Sequence, residues 1–229
     1  ERQDESRPKV TLDTSMNEEI SQMRRSYGEH GLREESLSAD PIEQFKLWLS
    51  EATVNKYLVE PNAMVLSTIH DGGPISRTVL LKDVSGREFT FFTNYKSRKG
   101  EDISRNPKVS LLFPWYPMER QVIITGSATK IDESESASYF ETRPWNSQIG
   151  AWASDQSQPL DSRESLEARW KVFALKFPEG TTVPKPPHWG GYSVTADTIE
   201  FWQGRYSRLH DRIRYILDLN GWKLQRIFP

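Results

Sequence analysis

The feature that most constrains this chain is a succession of short segments in which apolar and polar residues alternate, separated by turn sequences. Residues 63–70, 75–82 and 88–94 each have the length of a strand. Turn residues join them, as in Asp71-Gly72-Gly73-Pro74 and Ser85-Gly86-Arg87. Strands joined by such short connections pair antiparallel with their neighbours in the chain. The pattern therefore predicts a sheet built from hairpins rather than from parallel βαβ units.

The rest of the chain adds strands and inserts helices between them. Further strands are predicted at 109–115, 121–131, 191–196, 199–203, 212–217 and 222–227. Helices are predicted at 97–106, 133–142 and 164–177. Another helix is predicted to begin after Asp40, because Pro41 suits its first position and Glu43 completes a capping pattern. This order of elements predicts an α+β, mainly β fold, an antiparallel β-barrel with peripheral helices.

Composition bounds the organisation of the chain and excludes several classes of function. The length of 229 residues suits one large domain, which we place at 17–229, after a polar tail at 1–16 that we predict to be mobile. A net charge of −2 argues against a general attraction to nucleic acid. The absence of cysteine excludes disulfides, thiolate metal sites and a cysteine nucleophile. No apolar run approaches the roughly 20 residues that cross a membrane. We expect a cytoplasmic protein, or an organellar one if a targeting peptide has been removed.

Four clusters place cations and hydroxyl groups at predicted strand ends and turns. They are residues 77–82, residues 92–99, the group Tyr139, Arg143, Ser147, Gln156 and Ser157, and residues 202–212. In the second cluster Ser97 is placed to cap a helix, whose free backbone N–H groups favour an anion beside Arg98 and Lys99. Plain structural explanations stay open for the first three clusters. These are an edge strand with solvated charges, an ordinary capped helix, and an arginine that complements a helix C-terminus.

The fourth cluster is the most unusual, because three arginines, a histidine and a tryptophan fall within residues 202–212 of a slightly acidic chain. A histidine between arginines and next to a carboxylate suits an anionic or proton-exchanging substrate. If this stretch is extended, strand alternation sends Arg208, His210 and Arg212 to one side. The sequence has no P-loop, no dinucleotide-binding glycine motif, no nucleophile elbow and no compact histidine motif for a metal. We therefore predict no metal site, and disfavour ATP-driven transfer and serine hydrolysis.

The motifs, taken in order, resemble those of the pyridoxine/pyridoxamine 5′-phosphate oxidase family. The resemblance runs from Met23 to Pro229 and consists of MRRSY, ADPIEQF, RTVLLK, FFTNYKSRKG, NPKVSLLFPW, ERQV, YFETRPWNSQIGAWAS, PKPPHWGGY, EFWQG and RLHDR. Each motif is weak alone, but the ordered set is specific, and RLHDR after EFWQG is its sharpest part. Near the C-terminus the chain departs from the family pattern at residues 213–217 and 226–229, which we read as changes in strand packing.

The resemblance implies an FMN-binding split β-barrel and a homodimer with FMN at the subunit interface. It implies that FMN is bound by Arg77, Thr78, Val79, Leu80, Leu81, Lys82, Phe92, Thr93, Arg98, Lys99, Gln121, Gln156, Ser157, Trp202 and Arg212. It also implies that the substrate is held by Lys82, Tyr139, Arg143, Ser147, Arg208, Leu209 and His210, with Arg24 and Tyr27 covering it. Arg208 and His210 match the catalytic pair that contacts the pyridine ring.

The implied reaction is oxidation of pyridoxine or pyridoxamine 5′-phosphate by O₂ to pyridoxal 5′-phosphate, with release of hydrogen peroxide. A hydride would pass from substrate C4′ to flavin N5, and the protein would supply orientation. Two alternatives stay open. A module that only holds FMN or pyridoxal 5′-phosphate is disfavoured by Arg208 and His210. A split-barrel reductase with another flavin or a deazaflavin is disfavoured by the set that matches a B6 phosphate, which includes Tyr139 and Arg143.

Overall fold

The structure is a computed structural model that describes residue 20, residues 27–28 and residues 31–229. The predicted tail at 1–16 and Arg24 of the predicted substrate set lie outside the described residues. The helices of the described part are α1 Pro41–Thr53, α2 Arg98–Arg105, α3 Glu133–Glu141, α4 Trp145–Ala153 and α5 Arg163–Lys176. Its strands are β1 Ala63–His70, β2 Gly73–Leu80, β3 Asp83–Ser85, β4 Glu88–Asn94, β5 Lys108–Trp115, β6 Arg120–Lys130, β7 Trp189–Gln203, β8 Asp211–Asp218 and β9 Gly221–Ile227. Every pair of adjacent strands is antiparallel, as the hairpin pattern predicts.

Helix α1 begins where the sequence predicts and packs its apolar face into the barrel. The Asp40 carboxylate accepts a hydrogen bond from the Ile42 backbone N–H at 2.9 Å, and Pro41 takes the first helical position. The Phe45 ring is fully buried and makes an edge-on contact with Phe89 of β4 at 5.1 Å. The capping residues therefore fix the start of a helix whose aromatic side chains fill the core.

The order of the strands shows that the two ends of the sheet are brought together. Along the sheet the order is β2-β1-β5-β6-β7-β4-β3, so β2 and β3 lie at opposite ends. Only Leu81 and Lys82 join these two strands in the chain. The sheet must therefore curl until its ends meet, and the Lys82 backbone N–H donates to the Thr90 carbonyl of β4 at 2.8 Å. The predicted barrel is confirmed.

Strand β7 is the long element that joins the two ends of the molecule. Its first half pairs with β4 and its second half with β8, while β6 pairs with both halves. The sequence predicted two strands, 191–196 and 199–203, separated by Asp197 and Thr198. In the structure Asp197 is the extra residue of a bulge opposite Thr125 and Gly126, and the strand continues past it.

A second, smaller core lies beneath the helices. Its fully enclosed members are Phe140, Ile149, Val183 and Trp189, and partly buried rings such as Phe92 and Tyr139 pack against it. Helix α4, which contributes Ile149, is not predicted by the sequence pattern. The two cores meet along β4 and β7, and the space between them forms the cleft described next. No helix in the described part of the chain is long and apolar enough to span a membrane.

Candidate active site

A cleft of about 1100 Å³ lies between the ends of β2 and β4, the start of α2, and the pair α3 and α4. That volume is at the upper end of the range for small-molecule sites. The cleft brings together most of the residues that the sequence singled out in its first three clusters. These are Arg77, Thr78, Val79, Leu80, Lys82, Phe92, Thr93, Arg98, Lys99, Tyr139, Arg143, Ser147, Gln156 and Ser157. Segments that are far apart in the sequence thus line one space.

One wall of the cleft is the start of helix α2, which Ser97 caps as predicted. The Ser97 hydroxyl accepts a hydrogen bond from the Gly100 backbone N–H, and Arg98 and Lys99 form the first turn. The Lys99 ammonium group is buried and donates to Thr93 Oγ1 at 3.2 Å and to Gln156 Oε1 at 3.1 Å. Burial, together with the charge of Arg77, lowers the pKa of Lys99 to about 8. Free N–H groups and two cations make this wall suited to an anion.

Arg77 stands beside this wall on β2 and is held by groups beneath it. Its Nη1 donates to the Thr68 hydroxyl at 2.7 Å, and its Nη2 lies 3.6 Å from a carboxylate oxygen of Asp102. Asp102 is buried, which by itself would raise its pKa. Hydrogen bonds from Thr68 and His70, and the charge of Arg77, hold the pKa of Asp102 below its ordinary value. The carboxylate is therefore charged and keeps the arginine in place.

The opposite wall carries a further cation. Arg143 follows the end of α3, and its guanidinium carbon lies 4.7 Å from the centre of the Trp189 ring. Its Nη1 is buried and has no hydrogen-bond partner among the described residues. Burial lowers the pKa of Arg143 below its ordinary value. A buried guanidinium N–H without an acceptor is costly, so this position calls for an anionic ligand.

A layer of parallel rings forms the floor between the two cationic walls. The Phe92 ring stacks on Tyr139 with centroids 3.9 Å apart and on Trp189 at 5.3 Å. The sequence reading missed Trp189 as a lining residue, although it lies in the quoted PKPPHWGGY motif. Leu81 was assigned to the site but points its side chain into the barrel core, where it is 5% exposed.

The other predicted site residues that the structure describes, apart from Leu81, lie at the far end of β7. Gln121, Trp202 and Arg212 are direct neighbours across β6, β7 and β8, so their side chains share one face of the sheet. The Arg212 guanidinium pairs with the buried Glu200 carboxylate at 2.7 Å. These residues do not line the cleft of their own chain.

The Tyr27, Trp202 and His210 rings pack together at this far end. The Tyr27 ring meets Trp202 edge-on at 5.8 Å and His210 at 5.4 Å. The Arg205 backbone N–H donates to His210 Nδ1 at 3.0 Å, so the neutral imidazole carries its proton on Nε2. Burial and the charge of Arg208 lower the pKa of His210. Near neutral pH, His210 therefore offers an Nε2–H donor.

The backbone around Arg208 differs from the extended stretch considered in the sequence analysis. Residues Tyr206–Arg208 form a tight turn in which Ser207 and Arg208 have φ values of 55° and 61°, and β8 begins only at Asp211. Simple strand alternation therefore does not orient Arg208 relative to Arg212. Arg208 and Leu209 are exposed at the tip of this turn, which is open to a ligand or a second chain.

Comparisons with known proteins place these features in a family context. The family pattern described as pyridoxamine 5′-phosphate oxidase matches residues 50–176. A second pattern, the pyridoxine 5′-phosphate oxidase C-terminal dimerisation region, matches residues 189–229. We call Tyr27, Gln121, Trp202, Arg208, His210 and Arg212 the far-end cluster. Four of its members, Trp202, Arg208, His210 and Arg212, fall in the segment that resembles a dimerisation region.

Individual relatives cover almost the whole chain. The pyridoxine/pyridoxamine 5′-phosphate oxidase of Bordetella avium is 51% identical over 92% of this chain and 99% of its own length. That of Streptomyces avermitilis is 49% identical over 90% of this chain and 95% of its own length. Among solved structures, PhzG from Burkholderia lata 383, in complex with tetrahydrophenazine-1-carboxylic acid, has a TM-score of 0.82. It is 31% identical and covers 90% of this chain and 100% of its own.

A more distant structure agrees with the fold. An FMN-binding, pyridoxamine 5′-phosphate oxidase-related protein from Nostoc punctiforme has a TM-score of 0.65 at 15% identity. It covers 84% of this chain and 100% of its own. At that identity the likeness concerns the split-barrel fold alone.

Proposed function

This chain belongs to the pyridoxamine 5′-phosphate oxidase family, and from this premise we propose its reaction and the division of labour among its residues. It oxidises pyridoxine 5′-phosphate and pyridoxamine 5′-phosphate with O₂ to pyridoxal 5′-phosphate, with FMN as cofactor. With either substrate O₂ is reduced to hydrogen peroxide, and the amine, whose oxidation also consumes water, releases ammonia. When bound, FMN supplies the redox chemistry, and the protein supplies binding and orientation.

The observation that carries this proposal is the presence of two cationic walls in one cleft. Arg77, Arg98 and Lys99 form one wall, and Arg143 with its unpartnered Nη1 stands on the other. FMN and a B6 phosphate each bring a phosphate group, so a site that holds both needs two such places. The aromatic floor between the walls provides apolar surface for a flat ring.

On the cofactor side, we assign the phosphate of FMN to the wall at the start of α2. Free backbone N–H groups at a helix start favour phosphate, and the cations strengthen those contacts. Lys99 already uses its hydrogens on Thr93, Ser97 and Gln156, so it exchanges one of these for a phosphate oxygen. Gln156 comes from the loop after α4 and so links the two walls of the cleft.

On the substrate side, Lys82, Tyr139, Arg143 and Ser147 hold the phosphate group of the substrate. Arg208 and His210 contact the pyridine ring, with His210 donating from Nε2. The Tyr27 ring covers both His210 and Trp202 and shields them from water. Each of these groups binds or orients, and no proton transfer is assigned to them.

The two parts of the proposed site lie at opposite ends of a 15-residue strand and do not line one space within a single chain. Trp189 lines the cleft and Trp202 belongs to the far-end cluster, and both lie on the continuous strand β7. The strand path between them is about 40 Å. We infer a homodimer in which the far-end cluster of each chain completes the cleft of its partner, with FMN at the interface. The match of residues 189–229 to a dimerisation region supports this arrangement.

An absorbance spectrum followed by oxygen uptake tests the reaction. We expect the purified protein to bind FMN, to be yellow, and to consume O₂ with each of the two B6 phosphates while an aldehyde product forms. A protein that binds FMN and pyridoxal 5′-phosphate but produces no aldehyde in a single aerobic turnover would be a holding module. Failure of pyridoxal 5′-phosphate to compete would favour a reductase with another substrate.

Two arginine substitutions separate the substrate role from the cofactor role. Arg208→Ala should raise the KM for the B6 phosphate by about tenfold or more and leave the affinity for FMN unchanged. Arg212→Ala should instead weaken FMN binding. Arg214→Ala is the matched control, because Arg214 pairs with the same Glu200 carboxylate but has no proposed ligand. Loss of FMN from the Arg208 variant, or equal loss from the Arg212 and Arg214 variants, contradicts these assignments.

A further inference from the structure

A buried chain of polar groups runs beneath Arg77 and is not part of any ligand contact described above. The Arg77 guanidinium donates to the Thr68 hydroxyl at 2.7 Å, and that hydroxyl donates to Asp102 Oδ2 at 2.7 Å. His70 Nδ1 lies 2.6 Å from the other carboxylate oxygen, Oδ1. Thr68 and Asp102 are each 1% exposed. Both oxygens of a deeply buried carboxylate are thus engaged, and one of them leads directly to Arg77.

The residues of this polar chain belong to two neighbouring strands and one helix. Thr68 and His70 lie on β1, Arg77 on β2, and Asp102 on α2, one turn after Lys99. Residues three apart on a helix share a face, so Lys99 and Asp102 point to the same side of α2. The contacts therefore tie the arginine of β2 to the helix whose first turn carries the other two cations.

We propose that Thr68, Asp102 and His70 are positioning residues that fix the Arg77 guanidinium for binding the phosphate of FMN. The proposal rests on the FMN role of Arg77 stated under the proposed function. An arginine side chain has large conformational freedom when unrestrained, and that freedom is lost on binding. Holding the guanidinium beforehand removes this cost from the binding of FMN.

The direction in which Asp102→Asn changes the affinity for FMN distinguishes a positioning role from a purely electrostatic one. Asp102 carries a negative charge, and a negative charge near a bound phosphate opposes binding. If charge alone mattered, removing it by Asp102→Asn would tighten FMN binding. Positioning predicts the reverse, because the neutral amide loses the ion pair with Arg77 Nη2 and offers one acceptor oxygen in place of two.

The experiment measures FMN affinity by quenching of flavin fluorescence during titration into the full chain freed of flavin. Thr68→Val keeps the shape and charge of the site but removes the bridging hydroxyl. We expect its FMN dissociation constant to rise about tenfold, while kcat at saturating FMN stays within about twofold of the wild type. Thr68→Ser restores the hydroxyl and should restore the affinity. Thr125→Val is the matched control, because it removes one partner of the Thr125–Thr198 hydroxyl pair elsewhere in the sheet.

Variants of Arg77 decide whether the effect passes through this arginine. Arg77→Gln should weaken FMN binding, and adding Thr68→Val or Asp102→Asn to it should change the affinity by less than about twofold. If either addition weakens binding as much as it does in the wild type, the contacts act on the fold generally and the proposal is overturned. Thermal unfolding of each flavin-free variant identifies any that fails to fold, and Asp102→Asn then replaces Thr68→Val as the probe.

The remaining outcomes distinguish a failure of the positioning role from a failure of the proposed function. Normal FMN affinity in the Thr68→Val variant, with weak binding in the Arg77→Gln variant, overturns the positioning role and leaves the function intact. Tighter binding in the Asp102→Asn variant also overturns it. Normal FMN affinity in the Arg77→Gln variant instead removes Arg77 from the cofactor site, so the assignment made under the proposed function fails.

Discussion

Lys99 carries a charged group that its surroundings make easier to deprotonate. Its ammonium is enclosed by Thr93, Ser97 and Gln156, and its side chain reaches a space that also contains Arg77. Burial and this second cation lower the pKa of Lys99 from 10.5 to about 8. A bound phosphate has the opposite effect, because a nearby negative charge favours the protonated amine. Binding of FMN and protonation of Lys99 are therefore linked.

This linkage predicts a pH dependence of FMN binding. Above pH 8, Lys99 of the flavin-free protein is mostly deprotonated and must take up a proton when FMN binds. The affinity for FMN should therefore fall by up to about tenfold per pH unit. Over the same range the flavin-free protein should gain stability from Lys99, because the unfolded chain, with its pKa near 10.5, then binds more protons.

Titrations of FMN binding and of urea unfolding between pH 7 and pH 10 measure these two opposite trends. Lys99→Met, which cannot titrate, should bind FMN more weakly at pH 7 and lose the steep part of both profiles. An unchanged slope in this variant would assign the pH dependence to another group.

At the scale of single residues, the sequence predicts the residues that line the cleft better than the residues that hold those side chains in place. The cations and hydroxyls of the cleft stand in recognisable motifs, and the structure brings most of them together. Asp102 was not singled out, because its role depends on Thr68 and His70, which reach it only in the folded sheet. The burial of the Leu81 side chain was not predicted either, since a motif does not tell which of its side chains turns toward the core.

Among the elements, strand β9 and the segment before α1 are joined by one side chain. Arg226 of β9 donates to both carboxylate oxygens of Glu34, to Asp211 and to the Leu32 carbonyl. The Leu32 backbone N–H in turn donates to Asp211 at 2.9 Å. Hydrogen bonding to Arg226 lowers the pKa of Glu34 to about 2. These contacts hold residues 32–34 against the edge of the barrel close to Tyr27 and His210.

Replacing Arg226 with Met should release this segment without unfolding the barrel. We expect faster hydrogen exchange in residues 31–37 and a loss of at most about 1 kcal/mol in the free energy of unfolding, because the pair is partly exposed. Glu34 contributes its stability above pH 4.5 and loses it as the pH falls toward 2, and this dependence should vanish in the variant. Arg163→Met, which breaks an exposed pair with Glu167, is the control and should leave exchange in residues 31–37 unchanged. Exchange that is equally fast in both variants would remove Arg226 from this role.

The elements themselves were predictable where local signals are strong. Turn residues and the alternation of apolar and polar residues predicted the hairpin strands. Asp40 and Ser97 predicted where two helices begin, and both residues cap those helices in the structure. Helix α4 was missed, because Pro144 before it and Gly150 within it are residues that usually interrupt a helix. Helix α5 begins at Arg163, one residue before the predicted start at 164. Ser162, and not the neighbouring Asp161, is its capping residue, since the Ser162 hydroxyl accepts from the Ser165 backbone N–H. Local sequence does not decide between neighbouring capping residues.

For the whole molecule, the barrel follows from the sequence, but the division of the site does not. Hairpin patterns predict antiparallel strands, and the short link of Leu81 and Lys82 forces the sheet to close. The distance between the cleft and the far-end cluster depends on the continuity of β7 past Asp197, which the alternation does not predict. The motif resemblance implies the members of the site, and the strand register shows that these residues lie near the two ends of β7.

Mixed dimers test this division directly. Arg143→Gln damages the cleft of a chain, and Arg208→Ala damages its far-end turn. If each site combines the cleft of one chain with the far end of the other, a hybrid dimer has one site with both defects and one intact site. Random mixing of the two variants should therefore restore about a quarter of the wild-type sites, measured as oxygen uptake at low substrate concentration. Mixing Arg143→Gln with Lys82→Gln, which both alter the cleft, should restore nothing. If the Arg143 and Arg208 variants fail to complement each other although differently tagged chains co-purify as dimers, the two residues act within one chain.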